Sequence, residues 1–192
     1  MEPQIKRILL HETGSNFHNS QSTGKKMIET KVKEKRKVTQ RKQWNLVETE
    51  LTNEMQNSYI DSLYDVSHCC EDERRKHIHS IVENQIKTKI QGYHQQDIKK
   101  TIYDEDKFIT LPKVIELLHT CKNTCYYCRE PVLILYEYVR DNKQWSLERR
   151  DNSRGHNNDN VEIACLHCNI CRKTMNEERY LFTKQLNIIK QS

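Results

Sequence analysis

Phenylalanine and tryptophan are scarce in this chain of 192 residues, which has three Phe and two Trp. Its hydrophobic fraction is 35% and its charged fraction is 31%, and both values lie on the polar side of a typical globular protein. We therefore do not expect one large core that spans the whole chain. The composition instead predicts a helical region, a small metal-held module and at least one disordered end.

Long apolar runs are also missing. The longest lies near Val132–Tyr136 and is far too short to span a bilayer, and no apolar segment of a secretory signal follows Met1. We therefore expect an intracellular protein, nuclear or cytoplasmic, with no membrane partner. In a reducing compartment, its eight cysteines favour metal binding over disulfide bonds. The abundance of Asn, Lys and Ile would suit a large DNA virus or an AT-rich genome.

Positive charge is concentrated at one end of the chain. Residues 1–43 hold eleven Lys and Arg against four Asp and Glu, whereas the remainder is slightly acidic. We expect residues 1–43 to form a disordered basic tail. Such a tail either attracts phosphate backbones without reading sequence or serves as a solubilising or targeting extension. The cluster at 31–37 is typical of a nuclear localisation signal or a DNA contact, although solvated tails carry similar runs.

Residues 44–106 are predicted to be helical, because apolar residues recur at three- and four-residue steps, most clearly from Ile78 to Ile90. Gly92 is expected to end that helix. No catalytic residue is predicted in this region. Its potential metal ligands are poorly spaced for one ion and are not expected to form a second site: His68, Cys69, Cys70, His77 and His79.

Two Cys-x-x-Cys pairs give the strongest signal in the sequence, Cys125 with Cys128 and Cys165 with Cys168. Each pair can hold a turn around a metal with both sulfurs on one side, and two pairs complete a tetrahedral four-thiolate site that suits zinc. Four thiolates leave no open coordination position, so the zinc would be structural and would supply much of the folding energy of a small module. Alternative ligands remain nearby: Cys121, His167 and Cys171.

The segments around these pairs predict a small mixed module over residues 107–192. Thr110 followed by Pro112 is typical of a helix start, with a capping residue and a Pro in the first turn. The predicted order after this helix is a hairpin, a polar loop, a short strand and a helix: Pro131–Val139 with Trp145–Arg149, then Arg150–Asn160, Val161–Ala164 and the residues after Cys168. The fold class is therefore α+β, a mostly helical N-terminal region followed by a zinc-bound module of treble-clef, ββα-metal layout.

About a third of the chain, residues 108–175, resembles the zinc-containing HNH endonucleases. The resemblance is carried by the combined pattern and not by any one piece: Cys125-Tyr-Tyr-Cys128, Ser146-Leu-Glu-Arg-Arg-Asp-Asn-Ser-Arg-Gly-His156, Asp159-Asn-Val-Glu-Ile-Ala-Cys165, Cys168-Asn169 and Arg172-Lys173. It implies cleavage of DNA phosphodiester bonds with a catalytic divalent cation, usually Mg²⁺, beside a structural Zn²⁺. The cation would stabilise charge on the phosphate and on the leaving oxygen.

The resemblance also implies roles for single residues. Glu148 matches the family's acidic metal ligand, Asn160 its middle Asn, and Asn169 falls where the helix carries the last metal ligand. Arg149 stands where the family has its His base, and Arg stays protonated and cannot act as a general base. His156, seven residues further on, would replace that base if the loop folds back, with Arg149 holding the phosphate; otherwise His156 is a loop residue or a phosphate contact.

Basic residues surround these positions and are expected to contact the phosphates of a DNA partner: Arg140, Lys143, Arg150, Arg154, Arg172 and Lys173. Two other readings remain open. The chain would be a zinc-finger DNA-binding protein without cleavage activity, such as a transcription or packaging factor, or its helical region would be a platform for protein interactions with the zinc module as scaffold.

Overall fold

In the computed structural model, the described part of the chain comprises residues 7–10, 35–39, 41–65 and 72–190, with 7–10 and 187–190 as strands only. Helices and a small antiparallel sheet together confirm the α+β expectation. The elements in chain order are β1 (Arg7–Leu10), α1 (Arg41–Trp44), a 3₁₀ turn (Glu48–Leu51), α2 (Asn53–Tyr64), α3 (Glu73–Lys99), α4 (Leu111–Thr120), β2 (Trp145–Arg149), β3 (Val161–Cys165), α5 (Leu166–Arg172), α6 (Glu177–Gln185) and β4 (Asn187–Lys190).

Helix α4 begins where the sequence predicts. The side chain of Thr110 accepts a hydrogen bond from the backbone N–H of Lys113 at 3.4 Å, and Pro112 lies in the first turn, where its missing N–H has no helical partner to lose. The helix then buries one apolar face, formed by Val114, Ile115 and Leu118. This helix therefore anchors the chain just before the first cysteine pair.

Helix α3 continues through Gly92, so the prediction that this glycine ends it was wrong. The helix begins after Asp72, which accepts from the N–H of Arg74, and runs for 27 residues to Lys99. A glycine in a helix costs roughly 1 kcal/mol relative to alanine. Buried side chains on both sides of the glycine, Ile86 before it and Asp97 after it, hold the helix together across that position.

Strand β2 pairs with β3 and not with the apolar run before it, which corrects the predicted hairpin. The antiparallel register places Trp145 opposite Cys165 and Arg149 opposite Val161. Within the described residues, the segment 131–139 takes part only in isolated bridges. Three of its side chains, Val132, Ile134 and Leu135, are buried in the core instead. The backbone N–H groups of Ile134 and Leu135 donate to the side-chain oxygen of Gln56 at 2.8 and 2.9 Å.

The helical region and the cysteine-bearing region share one hydrophobic core, which runs from Trp44 to Tyr180 among the described residues. Buried Gln56 links them directly, because its amide nitrogen donates to the carbonyls of both Leu51 and Leu135. The shared cluster draws on helices, loops and both strands of the antiparallel sheet, with members such as Trp44, Ile60, Val82, Ile86, Leu118, Ile134, Trp145, Leu147 and Ile163. The antiparallel sheet therefore packs against the helices in the same core.

The predicted basic tail falls largely outside the described residues, as do His68, Cys69 and Cys70. Within the tail, Arg7–Leu10 forms a strand that pairs in parallel with Asn187–Lys190, which differs from the expectation of disorder for those four residues. Lys37 forms an ion pair with Glu137 at 2.7 Å. Across the described ranges, no helix combines the length and the apolar character that a membrane crossing requires.

Candidate functional site

The four predicted cysteines lie together. The sulfur atoms of Cys125, Cys128, Cys165 and Cys168 are all within 4.8 Å of one another. Four sulfurs bound to zinc at the usual distance would lie about 3.8 Å apart, and the Cys128 and Cys165 sulfurs are 3.9 Å apart. The donor set and its spacing fit a tetrahedral metal ion such as zinc.

The alternative ligands are directed elsewhere. The thiol of Cys121 donates to the carbonyl of Leu118 at 3.5 Å, and Cys171 is exposed beside the ring of His167, with 3.7 Å between its sulfur and Nε2. His77 and His79 also have local partners, the carbonyl of Trp44 and the hydroxyl of Ser62. Among the described residues, the group that could hold a metal ion is thus the inner four cysteines.

Backbone hydrogen bonds bring the two pairs to one point. Strand β3 ends at Cys165, which is also the N-cap of α5, and the Cys165 sulfur accepts from the N–H of Cys168 at 3.4 Å. The other pair is tied to the same strand, because the N–H of Tyr126 donates to the carbonyl of Ile163 at 2.8 Å. A metal bound here would fix β3, α5 and the turn at Cys125 relative to one another.

A cavity of about 380 Å³ lies between strand β2, the following loop, helix α5 and helix α3. Four of the five predicted catalytic residues line it, namely Glu148, Arg149, His156 and Asn169. The other lining residues come mostly from the same four elements: Tyr93, Gln96, Lys100, Ser146, Leu147, Asn152, Leu166, Ile170 and Lys173. Residues that the sequence places far apart therefore meet around one space.

Glu148 is buried in the wall of this cavity, with 4% of its surface exposed, and it pairs with Arg172, which is 2% exposed. The Arg172 guanidinium donates to the Glu148 carboxylate and to the carbonyls of Arg149 and Arg150, the last two at 2.9 and 2.7 Å. Burial raises the pKa of Glu148 to about 7, although the neighbouring guanidinium pulls it down. Arg172 is thus turned inward, which corrects its assignment as a phosphate contact.

His156 is held by Asp97, a carboxylate of helix α3 that is 0% exposed. One oxygen of Asp97 accepts from the His156 backbone N–H at 2.6 Å, and the other accepts from Nδ1 of the ring at 2.8 Å. The ring of Tyr93 packs on the imidazole with 4.4 Å between centroids. Burial lowers the pKa of His156, although Asp97 acts in the opposite direction. A neutral imidazole with Nδ1 occupied keeps Nε2 as its free acceptor.

Comparison with protein-family models, curated proteins and solved structures finds no match to this chain.

Helix α3 supplies the residues that sequence reasoning missed. Lys89, Tyr93 and Asp97 follow one another at intervals of four and so share one face of the helix. The ammonium of Lys89 donates to the carbonyl of Trp145, and the hydroxyl of Tyr93 accepts from the N–H of Leu147 at 3.0 Å. These two side chains satisfy backbone groups on the edge of β2 that β3 leaves free. Continuing the apolar stripe of α3 past Ile90 would have placed Tyr93 and Asp97 on the buried face.

Asn160 does not line the cavity but organises the loop that carries His156. Its amide nitrogen donates to the carbonyls of Asp151 and Gly155 at 3.0 and 2.9 Å, and its oxygen accepts from the N–H of Asp151 at 3.0 Å. A Cβ atom added to Gly155 would lie 2.6 Å from the carbonyl oxygen of Ile102 and 2.9 Å from the Asp97 carboxylate. The loop thus approaches α3 as closely as a residue without a side chain allows.

Asn169 reaches the cavity from helix α5. Its amide nitrogen donates to the hydroxyl of Ser146 and to the carbonyl of Leu147, both at 3.2 Å. Because strand β2 binds the amide nitrogen, the amide oxygen is the atom of Asn169 that could serve as a ligand. Among the remaining basic residues, Lys173 is exposed at the cavity, and Arg149 donates to the carbonyls of Asn152 and Arg154 at 3.2 and 3.1 Å.

The other predicted phosphate contacts are exposed, and their side chains do not line the cavity. Arg150 pairs with Glu177 at 3.0 Å, and Arg154 pairs with Asp159 at 2.6 Å. Arg140 and Lys143 are exposed on the turn before β2. These four side chains present a basic surface, part of which is already neutralised by carboxylates.

Proposed function

We propose that this protein is an HNH-like endonuclease that cleaves DNA phosphodiester bonds with a divalent cation, while zinc on the four cysteines holds a treble-clef, ββα-metal module together. The observation that carries the proposal is the meeting of Glu148, His156 and Asn169 around one cavity. A carboxylate, an imidazole and an amide oxygen are the groups that metal-assisted hydrolysis of a phosphodiester needs.

The divalent cation would be held by Glu148 and Asn169. Carboxylate and amide oxygens are the ligands that Mg²⁺ prefers. The carboxylate of Glu148 has a cationic partner in Arg172, and the amide nitrogen of Asn169 is bound to β2. The donor set therefore fits a hard cation, which would share with Arg172 the neutralisation of the Glu148 carboxylate. When bound, the cation would stabilise negative charge on the phosphate and on the leaving oxygen.

His156 is the proposed general base. Its Nδ1 is committed to Asp97, and burial favours the neutral ring. A neutral imidazole at the cavity can take a proton from an attacking water molecule through Nε2. His156 would replace the usual base of the family, because the arginine at that position, Arg149, cannot accept a proton. We assign Arg149 as a contact of the scissile phosphate, since this positively charged residue lines the same cavity.

DNA would approach across the exposed basic side chains around the cavity. Lys173 is the member nearest the chemistry, because it lines the cavity itself. Exposed Lys and Arg contact phosphates without reading base sequence, and their contribution falls steeply with added salt. The proposed outer contacts are Arg140, Lys143, Arg150 and Arg154.

Plasmid nicking with and without Mg²⁺ tests the enzyme. We expect the zinc-loaded full chain to nick supercoiled plasmid and Glu148→Gln to lose about 10²-fold or more of that rate, as removal of a metal ligand or general base does. The matched control is Glu162→Gln, a glutamate opposite Glu148 in the sheet register that does not line the cavity. Equal loss in both variants, or magnesium-dependent nicking that survives in Glu148→Gln, would contradict the proposed role.

One observation favours a second candidate, a zinc-stabilised DNA-binding protein that does not cut. Glu148 already has a buried partner in Arg172, and such a pair is a stable end point without any cation. Salt-sensitive binding of DNA by a chain that never nicks it with Mg²⁺ or Mn²⁺ would favour this candidate.

A further inference from the structure

We infer that Asp97, which lies on helix α3 outside the cysteine-bearing module, is a positioning residue that sets the tautomer and the orientation of His156. The inference rests on the proposed function, because it concerns the base of the proposed reaction. Helix α3 lies outside residues 108–175, the segment that resembles the HNH endonucleases.

Both oxygens of Asp97 are used on a single partner residue. One accepts from the backbone N–H of His156 at 2.6 Å and the other accepts from Nδ1 of its ring at 2.8 Å. The first contact fixes where the loop passes, and the second fixes the ring and its proton. A carboxylate can only accept, so Nδ1 must carry the hydrogen and Nε2 must carry the free lone pair.

The surroundings hold this pair in one geometry. The Tyr93 ring packs on the imidazole, and the position of Gly155 leaves no room for a side chain between the loop and the Asp97 carboxylate. The backbone of Asp97 is itself tied down, because its carbonyl accepts from the N–H of Ile102 at 3.0 Å. The base is therefore presented by a long helix that packs in the core and not by the loop alone.

The variant Asp97→Asn changes the tautomer of His156 while keeping the shape of the buried side chain. An asparagine keeps the shape of the side chain and can still accept from the His156 backbone N–H through its oxygen. Its NH₂ group then faces Nδ1, which must become the acceptor, so the ring proton moves to Nε2. We expect a loss of nicking on the order of 10²–10⁴-fold, because Nε2, the atom that we propose as the base, then carries the proton.

The chain offers a matched control in its second aspartate–histidine pair. Asp61 bonds Nδ1 of His119 at 2.7 Å, but this pair is largely exposed and lies outside the cavity. Asp61→Asn should leave nicking within about twofold of the wild type, since surface pairs of this kind contribute little. Zinc content and the melting midpoint are measured for every variant to confirm the fold.

Nitrogen NMR of the zinc-loaded full chain, with ¹⁵N-labelled histidine, reads the tautomer without any substrate. We expect His156 to be protonated at Nδ1 in the wild type and at Nε2 in Asp97→Asn. A wild-type chain with the proton on Nε2 overturns the inference whatever any variant does.

The remaining outcomes separate the inference from the proposed function. A switched tautomer in Asp97→Asn with an unchanged nicking rate overturns the role of Asp97 and leaves the endonuclease standing. Equal rates for His156→Ala and His156→Ala/Asp97→Asn support the inference, because Asp97 then acts only through His156. A wild-type chain that fails to nick overturns both.

Discussion

Arg172 of helix α5 ties the Glu148 side chain to the end of strand β2. Its guanidinium donates to the Glu148 carboxylate and to the carbonyls of the next two residues, Arg149 and Arg150. Both charged side chains are removed from water. A buried pair of this kind is costly to break, since the charge left behind has no solvent to replace its partner.

Arg172→Met should lower the free energy of unfolding by about 3–5 kcal/mol, as removal of one partner of a buried pair does. Arg172→Met combined with Glu148→Gln should recover much of that loss, because the second change removes the orphaned charge. Urea unfolding of zinc-loaded protein measures both. Arg150→Met is the control, with an expected cost under about 1 kcal/mol for a partly exposed pair; an equal cost would contradict the special position of Arg172.

Metal content distinguishes the inner four cysteines from the outer ones. Protein purified under reducing conditions should hold one zinc ion per chain by elemental analysis. Cys128→Ser should lose most of this zinc, and a strong chelator should unfold the protein, because binding energy at such a site is folding energy. Cys171→Ser is the control and should keep its zinc, since Cys171 lies outside the cluster. Equal zinc loss from both variants would place the ligands elsewhere.

The ring of His156 should titrate below its ordinary pKa of 6.5. Burial is the largest influence and lowers the pKa, Arg149 and Lys100 act in the same direction, and Asp97 opposes them. Because the unfolded chain then takes up a proton first, stability should fall as the pH drops from about 6.5 towards the folded midpoint. Titration of the imidazole C–H signals, assigned with His156→Gln, measures the midpoint. A midpoint above 6.5 would mean that the carboxylate outweighs burial.

Tyr93→Phe tests the closure of the free edge of β2. The change keeps the ring against His156 but removes the acceptor for the N–H of Leu147. An unsatisfied backbone donor in this position should cost about 1–3 kcal/mol of unfolding free energy. Tyr103→Phe serves as the comparison, since the Tyr103 ring packs on Phe108 away from the strand. Similar small effects in both variants would show that water reaches the strand edge.

Local signals in the sequence predicted the features that depend on local geometry. The Cys-x-x-Cys spacing identified the four clustered sulfurs, because two cysteines three residues apart can turn towards one ion whatever the rest of the fold does. The capping residue Thr110 with Pro112 identified the start of α4 for a similar reason.

Features that depend on distant partners were missed or mistaken. The run from Pro131 to Val139 has the composition of a strand, yet the N–H groups of Ile134 and Leu135 bond a side chain, Gln56, that lies far away in the sequence. Asp97 likewise meets His156 only because α3 continues past Gly92. Periodicity within one segment carries no information on such pairings, so they emerge only when the core is assembled.

The tight approach at Gly155 has an evolutionary consequence. A Cβ atom there would lie 2.6 Å from the backbone carbonyl oxygen of Ile102, as well as 2.9 Å from the Asp97 carboxylate, so position 155 requires glycine whatever residue stands at position 97. We therefore expect lineages of this protein to retain Gly155 even where Asp97 is replaced.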